Sequence, residues 1–206
     1  MNDTIKLYGP RLGSALRTHW VAAELGTPYE NVAVDFSTGE HRGPAFLQIN
    51  PMGQVPALVE GDFKLAESMA IGSYLIDRAG SDLAGKTAQQ RAKAWQWSLW
   101  AALNLHPHLS KLASPAWTGQ ALAADVEASA KADATKYITV LEAHLGAQKY
   151  IAGETFSVGD INVATVVAYA MFAKLDLSSF PNVTKWYAGA TDRPAYAKAC
   201  GTTNKA

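Results

Sequence analysis

Gly53-Gln54-Val55-Pro56-Ala57-Leu58-Val59-Glu60-Gly61-Asp62-Phe63-Lys64-Leu65-Ala66-Glu67-Ser68-Met69-Ala70-Ile71 is the stretch on which the fold turns. Residues 56–59 and 63–65 read as two short strands, and Glu60-Gly61-Asp62 between them is a tight-hairpin signal. Residues 68–79 then carry Ile71, Tyr74 and Leu75 at helical spacing and stop at Gly80.

Working outward toward the N-terminus, residues 44–49 predict a short helix before Asn50-Pro51, and residues 35–43 are a polar, glycine-containing loop. Residues 4–8 alternate, with Ile5 and Leu7 on one face, as a strand does. A loop with Gly9, Pro10 and Gly13 leads into residues 14–25, where Leu16, Trp20 and Ala23 form a helical stripe ended by Gly26 and Pro28. Val32 and Val34 alternate as a second strand, which completes a βαβ unit. The order β-α-β, loop, β-β-α over residues 1–80 is that of an α/β thioredoxin-like domain.

Beyond it, residues 81–88 are small and polar and read as a linker. Residues 89–206 are expected to form an all-α domain, with helices over 95–111, 119–146, 157–174 and 181–191 and no strand. One helix start is sharp. In Phe156-Ser157-Val158-Gly159-Asp160-Ile161, Ser157 caps the helix, Asp160 returns the bond from N3, and Phe156 and Ile161 form a hydrophobic staple. That motif serves folding rather than chemistry.

The composition is that of an ordinary globular protein: 49% apolar, 17% charged, and no formal net charge. It offers no basic surplus for nucleic acid and no disorder signature. Cys200 is the single cysteine, so no internal disulfide is available. The start Met1-Asn2-Asp3-Thr4-Ile5-Lys6 lacks the basic and apolar regions of a signal peptide, and no apolar run is long enough to span a membrane. A cytoplasmic location is expected.

Three segments together, Gly39-Glu40-His41-Arg42, the run from Pro44 to Leu58 containing Asn50-Pro51-Met52-Gly53-Gln54-Val55-Pro56, and Leu65-Ala66-Glu67-Ser68-Met69-Ala70-Ile71, resemble cytosolic glutathione transferases. The phi-like and the bacterial and fungal members are the most similar. The likeness is good over residues 5–80 and looser in the helical half, where it rests on Trp97 through Leu112 with Pro107. It implies conjugation of glutathione to small hydrophobic electrophiles such as aryl halides, epoxides or isothiocyanates, with glutathione as co-substrate, no cofactor and no metal. Some relatives reduce organic hydroperoxides with the same thiolate. It also implies a homodimer, with neither nucleic acid nor membrane as partner.

Glutathione is a peptide with two carboxylates and one ammonium, so its site needs a fixed extended backbone, anion sites and a carboxylate. By resemblance Val55–Pro56 is a cis bond, and its turn offers the Val55 N–H and C=O to the cysteinyl part of the ligand. Glu67 and Ser68 stand at the start of a helix, where free N–H groups favour an anion. Ser68 would take the γ-glutamyl carboxylate and Glu67 the ammonium. His41, Arg42 and Gln54 would hold the glycyl carboxylate, Arg42 standing where the family often has lysine.

The remaining task is to stabilise a thiolate. A thiol of pKa near ~8.5 is only a few per cent ionised at pH 7, and lowering it by two units takes roughly 2.7 kcal/mol. A hydroxyl at the first helix's N-terminus can supply much of that, and Ser14 is the candidate catalytic residue. Counted from Arg17, the spacing would select Gly13 instead, so Tyr8, or loop N–H groups with Arg11 or Arg17, are the alternatives. Ser14 also reads as an N-cap. The electrophile pocket is expected between the domains, lined by Leu12, Trp100, Leu103, His106 and Trp117. His106 and His108 flank Pro107 but lack the third ligand a metal needs.

Two other functions compete. A glutathione-binding or protein-interaction module without turnover uses the same fold. A thiol-disulfide oxidoreductase would need a cysteine near residue 14, and there is none.

Overall fold

A computed structural model describes residues 4–202. The described residues divide into two compact units, residues 4–82 with 194–202, and residues 83–193.

The first unit is built on a four-stranded sheet of order β2-β1-β3-β4, with β1 (Lys6–Tyr8), β2 (Glu30–Val32), β3 (Ala57–Glu60) and β4 (Phe63–Ala66). β1 pairs in parallel with β2 and antiparallel with β3, and β3 and β4 form the expected hairpin. In the register Leu7 faces Leu58 and Tyr8 faces Ala57. Because side chains alternate, these two pairs lie on opposite faces of the sheet. Leu7 and Leu58 are wholly buried. On the other face Ala57 meets Val34 and Phe46, with Tyr8, Ile49 and Val55 packed around them. Val34 was expected in the second strand. That strand ends at Val32, and Val34 serves as a plug in this cluster.

Helices α1 (Gly13–Glu24), α2 (Pro44–Leu47) and α3 (Ser68–Arg78) complete the thioredoxin-like order. The expected stripe of α1 is broader than an amphipathic helix needs: residues 15–22 are all buried, because α1 packs against α3, the sheet and a further helix. Its end is a Schellman motif, with Gly26 N–H to Ala23 C=O and Thr27 N–H to Ala22 C=O.

The further helix is α11 (Pro194–Cys200), which the sequence reading assigned to the helical domain over 89–206 and which packs on α1. Trp20 and Tyr196 meet edge-to-face at 4.7 Å, and Arg11 donates to the carbonyls of Lys198 (3.3 Å) and Ala199 (2.9 Å).

The second unit holds α4 (Ala88–Trp100), α5 (His106–Ala113), α6 (Pro115–Thr118), α7 (Ala124–Ala147), α8 (Val158–Val167), α9 (Tyr169–Phe172) and α10 (Pro181–Thr191). Its only pairing outside helices, among the described residues, is a single bridge between Tyr150 and Gly153. The expected linker yields a 3-10 turn at Asp82–Ala84 and a capping box, Thr87 with Gln90, that starts α4 seven residues before the predicted position. The predicted box at Ser157 and Asp160 is present. Asp160 is fully buried and accepts from Ile151 N–H (2.9 Å), Trp186 Nε1–H (2.8 Å), and both the N–H and O–H of Ser157.

Between α4 and α5 the chain makes a π turn over Ala101–Leu105. Pro107 explains it. Proline has no N–H to give the Leu103 carbonyl, and its ring would strike that carbonyl, so the helix widens just before it. The His106 N–H consequently bonds to Ala101, five residues back.

Candidate active site

Ser14 is the second residue of α1, and Leu12 occupies the N-cap with no side-chain bond. The N-cap reading of Ser14 is therefore corrected: its hydroxyl has no partner among the described residues and is not spent on the helix. Gly13 before it has φ +59, a conformation that a residue with a side chain rarely adopts. This is why the spacing that selected position 13 finds no hydroxyl there.

Ser14 opens on a cavity of about 400 Å³ whose other walls are Phe36, His41, Arg42, Met52, Gly53, Gln54 and Val55. Four expected glutathione contacts, His41, Arg42, Gln54 and Val55, thus share one cavity with the expected catalytic residue. Two local devices bring them together. His41 and Arg42 lie in a 3-10 turn, Glu40–Arg42, and a Cβ on Gly53 would come within 3.1 Å of the His41 carbonyl. Asn50, buried, accepts the Met52 N–H at 3.1 Å and donates to the Gln54 carbonyl at 2.6 Å, which fixes the turn carrying Gln54. The Val55–Pro56 bond is cis, and Pro56 lies buried behind Val55.

Phe36, Met52 and Asn50 were not anticipated. Phe36 lays its ring against the His41 imidazole at 4.9 Å. The Asn50-Pro51-Met52-Gly53 run is itself a turn signature, so Asn50's bracing role was open to inference. Phe36, in a polar loop, gave no periodic signal.

Glu67 and Ser68 are not walls of that cavity. Glu67 is exposed at the N-cap of α3 with φ +69, and Ser68 begins the helix, buried. Arg17, also buried, links them to the first site: its Nη1 donates to Ser68 Oγ at 2.6 Å. Because the Ser68 oxygen accepts that bond, its own O–H is left to donate.

Of the alternative activators, Tyr8 packs edge-on against Phe46 at 6.1 Å in the core cluster, away from the cavity walls. Arg11 is committed to Tyr29 and α11, and Arg17 reaches Ser68.

Of the residues expected around the electrophile, those in the second unit do not gather in one aromatic cluster. Leu12 is exposed beside Ser14. In the second unit His106 and Trp117 both meet Tyr169, at 4.9 and 6.0 Å, and Trp117 also meets Phe172 at 6.1 Å. Trp100 is turned elsewhere, onto Trp97 (4.9 Å) and Tyr137 (6.2 Å), while Leu103 is exposed on the π turn. The two histidines also diverge: His106 faces Tyr169, whereas His108 stacks on Tyr137 beside Asp133. Among the described residues no group of three or more His, Cys, Asp or Glu gathers as metal ligands, and no helix is long and apolar enough to cross a membrane.

Comparison with known proteins converges on one family. Residues 3–77 match the glutathione S-transferase N-terminal domain and residues 105–194 the C-terminal domain. The chain is 37% identical over 206 residues to glutathione S-transferase 3 of Zea mays, covering 94% of this chain and 92% of that one. Among solved structures, glutathione S-transferase-I bound with lactoylglutathione superposes with a TM-score of 0.86 at 29% identity, covering 97% of this chain and 100% of that one. A family member from Pseudomonas fluorescens with two glutathione bound gives 0.88 at 25% identity, covering 96% and 92%. Sheet order, cis-proline turn and relatives agree, and the chain belongs to the glutathione S-transferase family.

Proposed function

We propose that this protein binds glutathione on its first unit, holds it as the thiolate, and adds that thiolate to small hydrophobic electrophiles. The observation that supports this most is the shared cavity: Ser14 opens on the same space as His41, Arg42, Gln54 and Val55. The glutathione of the Pseudomonas fluorescens structure and the lactoylglutathione of the transferase-I structure support the choice of ligand.

In this reading the glycyl carboxylate meets His41, Arg42 and Gln54, and the cysteinyl backbone pairs with Val55 as an added strand would. The γ-glutamyl carboxylate takes the Ser68 O–H and the free N–H groups of α3, with the Arg17 guanidinium beneath, while Glu67 takes the ammonium. The sulfur then lies at Ser14. Its hydroxyl donates to the thiolate, and the N-terminal end of α1 adds positive potential. The thiol proton leaves to water. The thiolate forms a C–S bond to the electrophile as the leaving group departs or the strained ring opens. Holding both reactants supplies the proximity term. Leu12, exposed beside Ser14, offers apolar surface for the second substrate. A homodimer in the cytoplasm completes the reading; sedimentation as a 22.0 kDa species would remove the dimer.

The test is titration of bound glutathione by thiolate absorbance near ~240 nm, with wild type and Ser14→Ala compared. A depressed pKa in wild type that returns toward ~8.5 in the variant supports the mechanism. Binding with no depression would leave a binding module.

A further inference from the structure

The loop that delivers Ser14, residues 9–13, is hinged at both ends. Gly9 has φ +129 and Gly13 φ +59. A Cβ at Gly9 would lie 3.0 Å from Val55 Cβ and 3.2 Å from Ala15 Cβ, so the loop's first residue is wedged between the cis-proline turn and α1. Between the hinges stand Pro10, Arg11 and Leu12. Leu12 is exposed, and Arg11 is the one side chain of the three able to hydrogen-bond.

Arg11 uses that capacity in full view of the fold. Its Nη1 donates to Tyr29 Oη at 3.0 Å and to the Ala199 and Lys198 carbonyls at 2.9 and 3.3 Å, at the C-terminal end of α11, where the helix dipole favours a cation. Tyr29 Oη is also hydrogen-bonded to its other neighbour, His19 Nδ1, 3.1 Å away. His19 is fully buried in α1, one turn beyond Ser14, and its ring lies against Tyr29 at 5.4 Å. The ring is therefore linked to the loop through Tyr29 at Arg11.

We propose that Arg11, Tyr29 and His19 form a brace, closed by α11, that positions the 9–13 loop and so the Ser14 hydroxyl against the glutathione sulfur. This deepens, and rests on, the reading of Ser14 as thiol activator. Arg11 touches no reacting atom; it is a positioning residue acting through the loop. Removing it unties the loop between the wedged Gly9 and Ser14, and a hydroxyl displaced by about 1 Å loses much of its effect on the thiolate.

Arg11→Ala, Arg11→Lys and Tyr29→Phe test this beside wild type and Ser14→Ala, each with glutathione-thiol titration, kcat, KM for glutathione and melting temperature. Arg11→Ala should lower kcat by roughly tenfold to a hundredfold and raise the bound-thiol pKa, with KM for glutathione changed less than about twofold. Lysine keeps the charge but carries it on a shorter, more strongly hydrated head that must reach the same three oxygens, so it should rescue only part. Tyr29→Phe keeps the ring and loses the hydroxyl, so it decides the matter if Arg11→Ala fails to fold; it should move kcat and thiol pKa the same way. Variants that melt lower but keep the wild-type thiol pKa and kcat would overturn the brace and leave a structural tie only. If wild type itself shows no depressed thiol pKa, the activator reading fails first, a result distinguishable from failure of the brace.

Discussion

Arg17 and Ser68 lie 51 positions apart and are joined by a 2.6 Å hydrogen bond from guanidinium to hydroxyl, both residues buried. The bond ties the helix that starts at the candidate thiol site to α3, whose N-terminus is the expected γ-glutamyl position. It also puts a positive charge beneath an expected carboxylate position, where the surroundings exclude water and strengthen the attraction.

Arg17→Ala should weaken glutathione binding by about 10- to 100-fold, the worth of a charged hydrogen bond of roughly 1.5–3 kcal/mol. Calorimetry with glutathione and with cysteinylglycine separates the causes. The dipeptide lacks the γ-glutamyl group, so its affinity should be indifferent to the substitution. Equal losses for both ligands would mean that Arg17 serves the fold and not that carboxylate.

His19 predicts an acid limit to stability. Burial, then the nearby Arg11 charge, lowers its pKa from 6.5 to about 4, against a smaller opposing effect of the Gly9 backbone. Between these values the unfolded chain takes a proton that the folded chain refuses. Stability should be unaffected by this group above pH 6.5 and fall as the pH drops toward 4, by on the order of 3 kcal/mol in all. Urea midpoints at about pH 7, 5.5 and 4.5 measure the slope, which His19→Gln should flatten. An unchanged slope in the variant would assign it to other groups.

Asp160 should be the costliest single polar residue of the second unit to lose. Burial pushes its carboxyl pKa up, while the hydrogen bonds from Ile151, Trp186 and Ser157 pull it back. Asp160→Ala leaves those buried donors without an acceptor and should cost about 3 kcal/mol or more. Asp160→Asn should also destabilise, since its amide group turns donors toward donors. A melting temperature within a degree or so of wild type for either variant would contradict this.

The two capping boxes offer a matched pair. Thr87→Ala removes an exposed cap and should cost about 1 kcal/mol. Ser157→Ala removes a buried one that also bonds Asp160, and should cost more. Chemical denaturation of the two variants ranks them directly; the reverse order would count against burial as the deciding factor.

These cases mark what the sequence reveals. Period-2 and helical stripes, with Gly26, Gly61 and Gly80 as punctuation, located the strands of the first unit and its main helices to within a few residues, because those signals are local. Ser157 and Asp160 were legible for the same reason. Thr87 with Gln90 was equally local, but it sat in a polar stretch that looked like linker. Arg17 with Ser68, and Arg11 with α11, were hidden, since a polar contact between distant segments leaves no periodic trace. α11 has only seven residues and joins the first unit through Tyr196 and two backbone carbonyls, features that composition does not record. Trp100 and His106 were read on one uninterrupted helix, and the π turn that gives them different aromatic partners left no signal beyond Pro107.

The π turn between them has a wider meaning for that surface. A helix with such a turn holds one residue more than its rise requires, an insertion absorbed without breaking the rod. Every side chain downstream is rotated by about 100° from where an unbroken α-helix would aim it. Deleting one residue, such as the exposed Leu103, would return α5 to the register of α4 and swing His106 off Tyr169, provided Pro107 is replaced as well. Which side chains that aromatic surface presents is thus set by a length at one point of one helix, rather than by its composition.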